Sequence, residues 1–173
     1  MKLKEFLAKN KKVILERWFD RIIDSYPADS SNFLRHERNR FDNPVGYTIS
    51  RDIEYLYDAL CGGMADDRLG TCLENIVRIR AVQDFTPSQA MAFIPVLKDV
   101  VKETLAGQTG DCSTDSELTD FNRRVDRLCL LGFDVYMKCR EKIYEIKANE
   151  AKMRVYKLLE RTNLLDRESI NEE

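Results

Sequence analysis

The sequence predicts an all-α protein, a bundle of five to six helices that ends on an unusually long one. Three observations carry that prediction. Apolar residues recur at spacings of three and four through most of the chain, and no stretch shows the strict alternation of a half-buried strand. The four prolines and seven glycines fall mostly where such helices would begin or end. From about residue 114 to 161, only Gly132 interrupts a run of helix-forming residues.

The elements follow in order. Leu3, Phe6, Leu7, Ile14, Trp18, Ile22 and Tyr26 make one apolar stripe that Pro27 ends. The polar run Lys9-Asn10-Lys11-Lys12 divides this segment, with Asn10 expected to cap its second piece. A short polar helix or turn occupies residues 31–40. In Asp42-Asn43-Pro44-Val45-Gly46, Asn43 can cap a helix and Pro44 sits in its first turn, where a missing N–H costs nothing. Val45, Ile49, Ile53, Leu56, Tyr57 and Leu60 form the next stripe, closed by Gly62-Gly63. Another helix, over about 67–83, uses Leu69, Cys72, Leu73, Ile76 and Ile79. Thr86-Pro87-Ser88-Gln89 is a capping box with Pro at the first helical position. The helix it opens should run to about Leu105 and kink near Phe93–Ile94, because Pro95 removes a backbone donor. Thr114-Asp115-Ser116-Glu117 reads as a second capping box, opening the last helix.

That helix would span roughly 70 Å at 1.5 Å per residue, against a diameter of about 40 Å for a compact domain of the remaining residues. It is therefore expected to project. Through its first half Leu118, Phe121, Val125, Leu128, Gly132, Val135 and Cys139, with Leu131, Phe133 and Tyr136 beside them, suit burial in the bundle. Beyond, the stripe narrows to Ile143, Ile146, Met153 and Tyr156, with Leu159 nearby, as a coiled coil or a partner groove requires. The expected division is a helical bundle over 1–140, a projecting continuation over 141–162 and an acidic tail over 163–173.

Composition excludes several function classes. A net charge of −2 and a pI of about 5.6 give no reason to expect nucleic acid. The lysines of MKLKEFLAKNKK precede no apolar signal core, and no window is apolar enough for a membrane helix, so a cytoplasmic protein without membrane insertion is expected. The five cysteines form no CxxC pair; Cys61, Cys72 and Cys129 occupy apolar helical positions, and Cys112 a polar loop. With His36 as the one histidine, no metal site can be assembled from closely spaced His and Cys, and no catalytic motif is present. No enzyme activity and no cofactor are expected. Arg35, His36, Arg38 and Arg40, beside a helix start, are the nearest approach to an anion site, although a solvated turn with an internal Arg–Glu or Arg–Asp pair accounts for them. Arg40, Asn43, Pro44 and Gly46 are the candidate ligand or motif residues, with capping as their default role.

Three phrases, RFDNPVGYTI at 40–49, FTPSQAMAFI at 85–94 and FDVYMKCREKIYEIKANEAKMRVYKLLER at 133–161, resemble the RsbRD N-terminal domain family, named for a co-antagonist of the bacterial stressosome. The similarity covers about residues 3 to 161. It implies a globin-like helical fold without haem, paired as a dimer, whose long last helix leads to an output domain of the STAS type. No output domain precedes Glu173, which leaves two alternatives, a free-standing protein whose helix engages a separate output or signalling partner or a piece of a longer chain; the acidic end DRESINEE reads more as the former. Three readings result: a sensory or regulatory module acting by helix-mediated association, a haem- or small-ligand-binding globin sensor, and a structural assembly subunit. For haem, His36 lies too early to match a proximal ligand.

Overall fold

Residues 2–36, 41–62, 68–83, 85–107 and 115–161 are described by a computed structural model. Among them there are eight helices and no strand: α1 Leu3–Lys9, α2 Lys11–Ile23, α3 Ala28–His36, α4 Pro44–Gly62, α5 Leu69–Val82, α6 Pro87–Met91, α7 Val96–Ala106 and α8 Asp115–Arg161. The count exceeds the expected five to six because two expected helices are each divided. The chain forms two compact units, Met1–Met137 and Lys138–Glu173, and the division falls inside α8.

In the first unit, the stripe from Leu3 to Tyr26 is buried along its length, with Trp18 fully enclosed. Asn10 does separate α1 from α2, but it makes no side-chain capping bond to α2. Its amide donates back to Phe6 O at 2.9 Å and so closes α1. α4 packs on α5 and on α2, and its apolar face (Ile49, Ile53, Leu56, Tyr57, Leu60) is buried. Tyr57 Oη donates to Leu7 O at 2.9 Å, tying α4 to α1. Buried Asp52 accepts from Arg51 Nε at 2.7 Å and Asn75 Nδ2 at 2.9 Å, which joins α4 to α5.

The capping box at Thr86 forms as the residues indicate. Thr86 N–H donates to Gln89 Oε1 at 2.9 Å, Gln89 N–H to Thr86 Oγ1 at 3.3 Å, and Pro87 opens α6. The expected kink is instead a break. α6 stops at Met91, residues 92–95 turn, and Pro95 becomes the N-cap of α7. Ile94 N–H bonds Met91 O at 3.2 Å and Leu97 N–H bonds Ile94 O at 3.2 Å, the short i to i−3 pattern. Carbonyls that a continuous helix would use are thereby released. Phe93 O accepts the Trp18 indole N–H at 2.6 Å, and Ala90 O accepts Arg80 Nε at 3.0 Å.

Within the first unit α8 buries Phe121, Val125, Leu128, Gly132 and Tyr136, one stripe at spacings of three and four. Gly132 packs under the side-chain tips of Met91 and Ile94, which an added Cβ would displace, 2.9 Å from Ile94 Cδ1 and closer still to Met91 Cε. The buried face is narrower than expected, since Leu131 and Phe133 are exposed, as are Leu130 and Met137. Glu117 does not close a local capping box that can be described, because Thr114 lies outside the described residues. Its carboxylate accepts Leu3 N–H at 2.6 Å and caps α1 across the unit.

Replacing Trp18 by Phe keeps most of the ring but leaves Phe93 O without its donor. Unfolding free energy should fall by about 1–3 kcal/mol. Urea unfolding would show this as a lower midpoint at unchanged slope, and an unchanged midpoint would refute the role assigned to the indole.

Candidate functional site

Asn43 is 2 % exposed, and its side chain works in two directions. Oδ1 accepts Gly46 N–H at 2.8 Å, which caps α4. Nδ2 donates to Leu34 O at 3.0 Å, which holds the last turn of α3. A Cβ on Gly46 would lie 2.8 Å from Asn43 Cγ, so glycine is the residue that lets the clamp close. Pro44 begins α4 and is exposed. Of the four motif residues, these three make a joint between α3 and α4, while Arg40 lies outside the described residues. Arg35 pairs with Asp24, and with Asp20 at 3.3 Å, which is the internal pairing that leaves no open anion site at this residue. Arg38 and the side chain of His36 lie outside the described residues, as do Asp66, Asp67, Cys112 and the acidic end 163–173.

A second set of residues was not singled out by the sequence reading. An open cleft of about 440 Å³ is lined by Tyr26, Asp29, Phe33, Leu34, Val45 and Gln83, among others. Beside Tyr26, but not lining the cleft, is Arg80, fully buried on α5. Besides Ala90 O, its guanidinium donates to Gln89 O at 3.0 Å and Ser25 Oγ at 2.9 Å. The rings of Phe85, Tyr26 and Phe93 surround it at 4.4, 5.3 and 5.9 Å from their centroids. Among the described residues no carboxylate pairs with it. Arg80 Nη1, Tyr26 Oη and Gln83 Oε1 find no partner outside this group, and within it Tyr26 interacts with both Arg80 and Gln83. Burial pulls the Arg80 pKa down, and burial pushes the Tyr26 phenol up against the opposing pull of Arg80 and Gln83. The available signal was Arg80's register: it follows Leu73 by seven residues and Ile76 by four, which puts a cation on the buried face of α5.

α8 carries the third feature. Of the residues expected to form an interaction face, Ile146, Met153 and Tyr156 are exposed and Ile143 and Leu159 are half-buried. Another series was overlooked. Leu130, Met137, Tyr144, Ala151 and Leu158 recur every seven residues and are all exposed, Leu130 by 70 %, Tyr144 by 56 % and Leu158 by 59 %. Searching for a strict seven-residue repeat, rather than the wider core stripe, would have found it.

No reactive centre emerges from the other titratable groups. Burial pushes the thiols of Cys61 and Cys129 up, away from the thiolate form, and Cys72 is buried. Among the described residues no His, Cys, Asp and Glu cluster could hold a metal, and no helix is long and apolar enough to cross a membrane.

Asn43→Ala removes both bonds of the clamp and should lower stability by about 2 kcal/mol. Gly46→Ala, which drives a methyl into Asn43, should also destabilise. Chemical denaturation measures both, and wild-type midpoints would show that the joint is dispensable. A second test concerns pH. Burial raises the phenols of both Tyr26 and Tyr57. Above pH about 10 an unfolded chain releases these protons while the folded one retains them, so stability declines as pH rises. Tyrosinate absorbance should therefore finish rising only with alkaline unfolding. Completion within the ordinary phenol range, with the fold intact, would contradict the burial argument.

An uncharacterised protein of Archaeoglobus fulgidus is 24 % identical over 146 residues, covering 82 % of this chain and 84 % of that one. No solved structure matches the chain significantly. The family model described as the RsbT co-antagonist protein rsbRD N-terminal domain matches residues 12–151, from the second helix to well into α8. That match takes in almost all of α2, the Asn43 joint, α3 to α7 and most of α8, and the chain belongs to the RsbRD N-terminal domain family.

Proposed function

We propose that this chain is a non-enzymatic regulatory module of the stressosome type, whose α8 pairs with α8 of a second copy and presents a further face to a separate output protein. The single observation that carries the reading is the exposed seven-residue series Leu130, Met137, Tyr144, Ala151 and Leu158. Isolated exposed apolar residues are ordinary on a surface. Five in strict heptad register are not, because a seven-residue period keeps a seam facing a partner helix only when the two supercoil. Phe133 and Val155, each three or four residues from a member of the series, widen the seam and are exposed as well.

The second face follows from helix geometry. Ile146 and Met153 come two residues after Tyr144 and Ala151, which at 100° per residue turns them nearly to the opposite side. They continue the register of Phe121, Val125 and Leu128, the stripe that is buried in the first unit. A homodimer seam on one side and an apolar strip on the other let one helix join a second copy and a different protein together. The stressosome co-antagonist description of the family supports a signalling role for such a helix. A globin-like arrangement of the first unit is part of this proposal.

Light scattering separates the two faces. The full chain should have the mass of a dimer. Tyr144→Lys with Leu158→Lys places two charges in the proposed seam and should weaken dimerisation at least tenfold, while Ile146→Lys with Met153→Lys should leave it intact. All four positions are surface residues, so circular dichroism should be unchanged. A monomeric wild-type chain, or dissociation by the second pair alone, would defeat the assignment.

A further inference from the structure

We propose that the part of α8 in the second unit docks an acidic amphipathic helix of another protein. Carboxylates of that helix meet Lys147, Arg154 and Arg161, and its apolar side chains meet Ile143, Ile146 and Met153. Over residues 138–161, eight lysines and arginines stand against four glutamates, a net of +4 on a chain whose net charge is −2. Four of those cations, Arg140, Lys147, Arg154 and Arg161, recur every seven residues and so share one row along the helix.

The row is not neutralised within the chain. Arg140 donates to Tyr144 Oη at 2.7 Å, and among the described residues Lys147, Arg154 and Arg161 make no ion pair. Helical side chains three or four residues apart face each other, and at those spacings the row meets one carboxylate, Glu150, shared between Lys147 and Arg154. A second copy does not neutralise the row either. In the dimer seam, Tyr144, Ala148, Ala151, Val155 and Leu158 alternate at four and three, and the basic row flanks them. Parallel pairing there puts Lys147 opposite the second copy's Lys152 and Arg154 opposite its Leu159. Antiparallel pairing puts the row opposite itself. A matching row of carboxylates therefore comes from a different protein.

Spacing and neighbours define the surface that fits. Seven residues at 1.5 Å place successive cations about 10.5 Å apart, the interval at which a second helix repeats its own side chains. Ile146 and Met153 each precede a cation of the row by one residue, and Ile143 lies between the two rows, so charge and apolar contact share one face. Ile143 is half-buried and the other five residues are exposed. A polyanion without apolar side chains, such as nucleic acid, would leave Ile146 and Met153 in water. The inference names the chemistry of the separate output protein proposed above, and in that respect it rests on that reading.

The probe is a labelled synthetic peptide of about four heptads, with leucine and isoleucine in its seam and glutamate on both flanks. Its counterpart carries lysine on the flanks. In fluorescence anisotropy the full chain should bind the acidic peptide and not the basic one. Binding should weaken about tenfold or more at 1 M salt, where the screening length falls to about 3 Å. Lys147→Glu with Arg154→Glu should weaken the acidic peptide by about tenfold or more and admit the basic one. Ile146→Ser with Met153→Ser should weaken the acidic peptide with the charges intact. No binding of the acidic peptide, equal binding of both peptides, an unchanged affinity in the charge-reversed chain, or equally tight binding of duplex DNA would overturn the proposal. Light scattering on the same samples keeps the two readings apart. A chain that stays a dimer with the peptide bound supports both. One that is monomeric alone, yet binds the acidic peptide through these residues, loses the dimer and keeps the docking face. A dimer that the peptide splits has been entered at its seam, which overturns the face assigned here.

Discussion

The proline at 95 imposes the constraint on which much of the first unit depends. A helix cannot run through it with its ladder of hydrogen bonds complete. The chain breaks over 92–95, and the short-range bonds that form there leave the carbonyls of Ala90 and Phe93 to be satisfied from elsewhere. Buried carbonyls must find donors. Phe93 O takes the indole of Trp18 from α2, and Ala90 O takes the guanidinium of Arg80 from α5. Two of the largest buried side chains in the protein are therefore oriented by one interruption of one helix. Removal of a donor at Pro95 has been converted into two bonds between elements distant in sequence.

Arg80 gives the clearest case of a group whose position costs more than packing alone would warrant. A long apolar side chain such as methionine would fill more of the space between Tyr26, Phe85 and Phe93 without desolvating a charge. It would also leave Ala90 O unpaired. The arginine answers that need, and three aromatic faces offset part of the desolvation through their quadrupoles. What they do not supply is a counter-charge. Tyr26, which interacts with both Arg80 and Gln83, completes the polar cluster without one.

Local chemistry was legible wherever a side chain bonds its own neighbourhood. The Thr86–Gln89 box and the Asn43–Pro44 helix start require only residues three apart, and both form from the side chains the sequence names. Asn10 was misread for the opposite reason: in place of the expected bond to α2 it turns back to Phe6 O. Glu117 makes a bond that no local pattern shows, to Leu3, 114 residues away. A sequence shows which groups can cap, not which of several orphan N–H or C=O groups lies nearest after folding. Pro95 was legible as a disruption but not as a full break, because the choice between kink and turn depends on Trp18 and Arg80 arriving to satisfy the freed carbonyls. The cleft was not legible at all. It is made by α3 and the end of α5, and nothing in either segment alone implies the other. On α8 the wide stripe hid the narrow one: Leu131 and Phe133 looked like core and are exposed, so only burial separates the inward face from the heptad series.

These pieces join into one contiguous set of contacts within the first unit. Gln83 and Tyr26 border the cleft and Arg80. Arg80 bonds Gln89 O and Ala90 O in α6. Met91 and Ile94, at the end of α6 and in the break, lie where a Cβ on Gly132 of α8 would strike them. The packing at Gly132 leaves no room for even a methyl, so a shift of α6 by a few tenths of an ångström must be matched by α8 or by the side chains of Met91 and Ile94. Close-packed interiors respond to such shifts by moving between discrete arrangements rather than by compressing. Within the first unit, α5, α6 and α8 therefore share one continuous set of contacts.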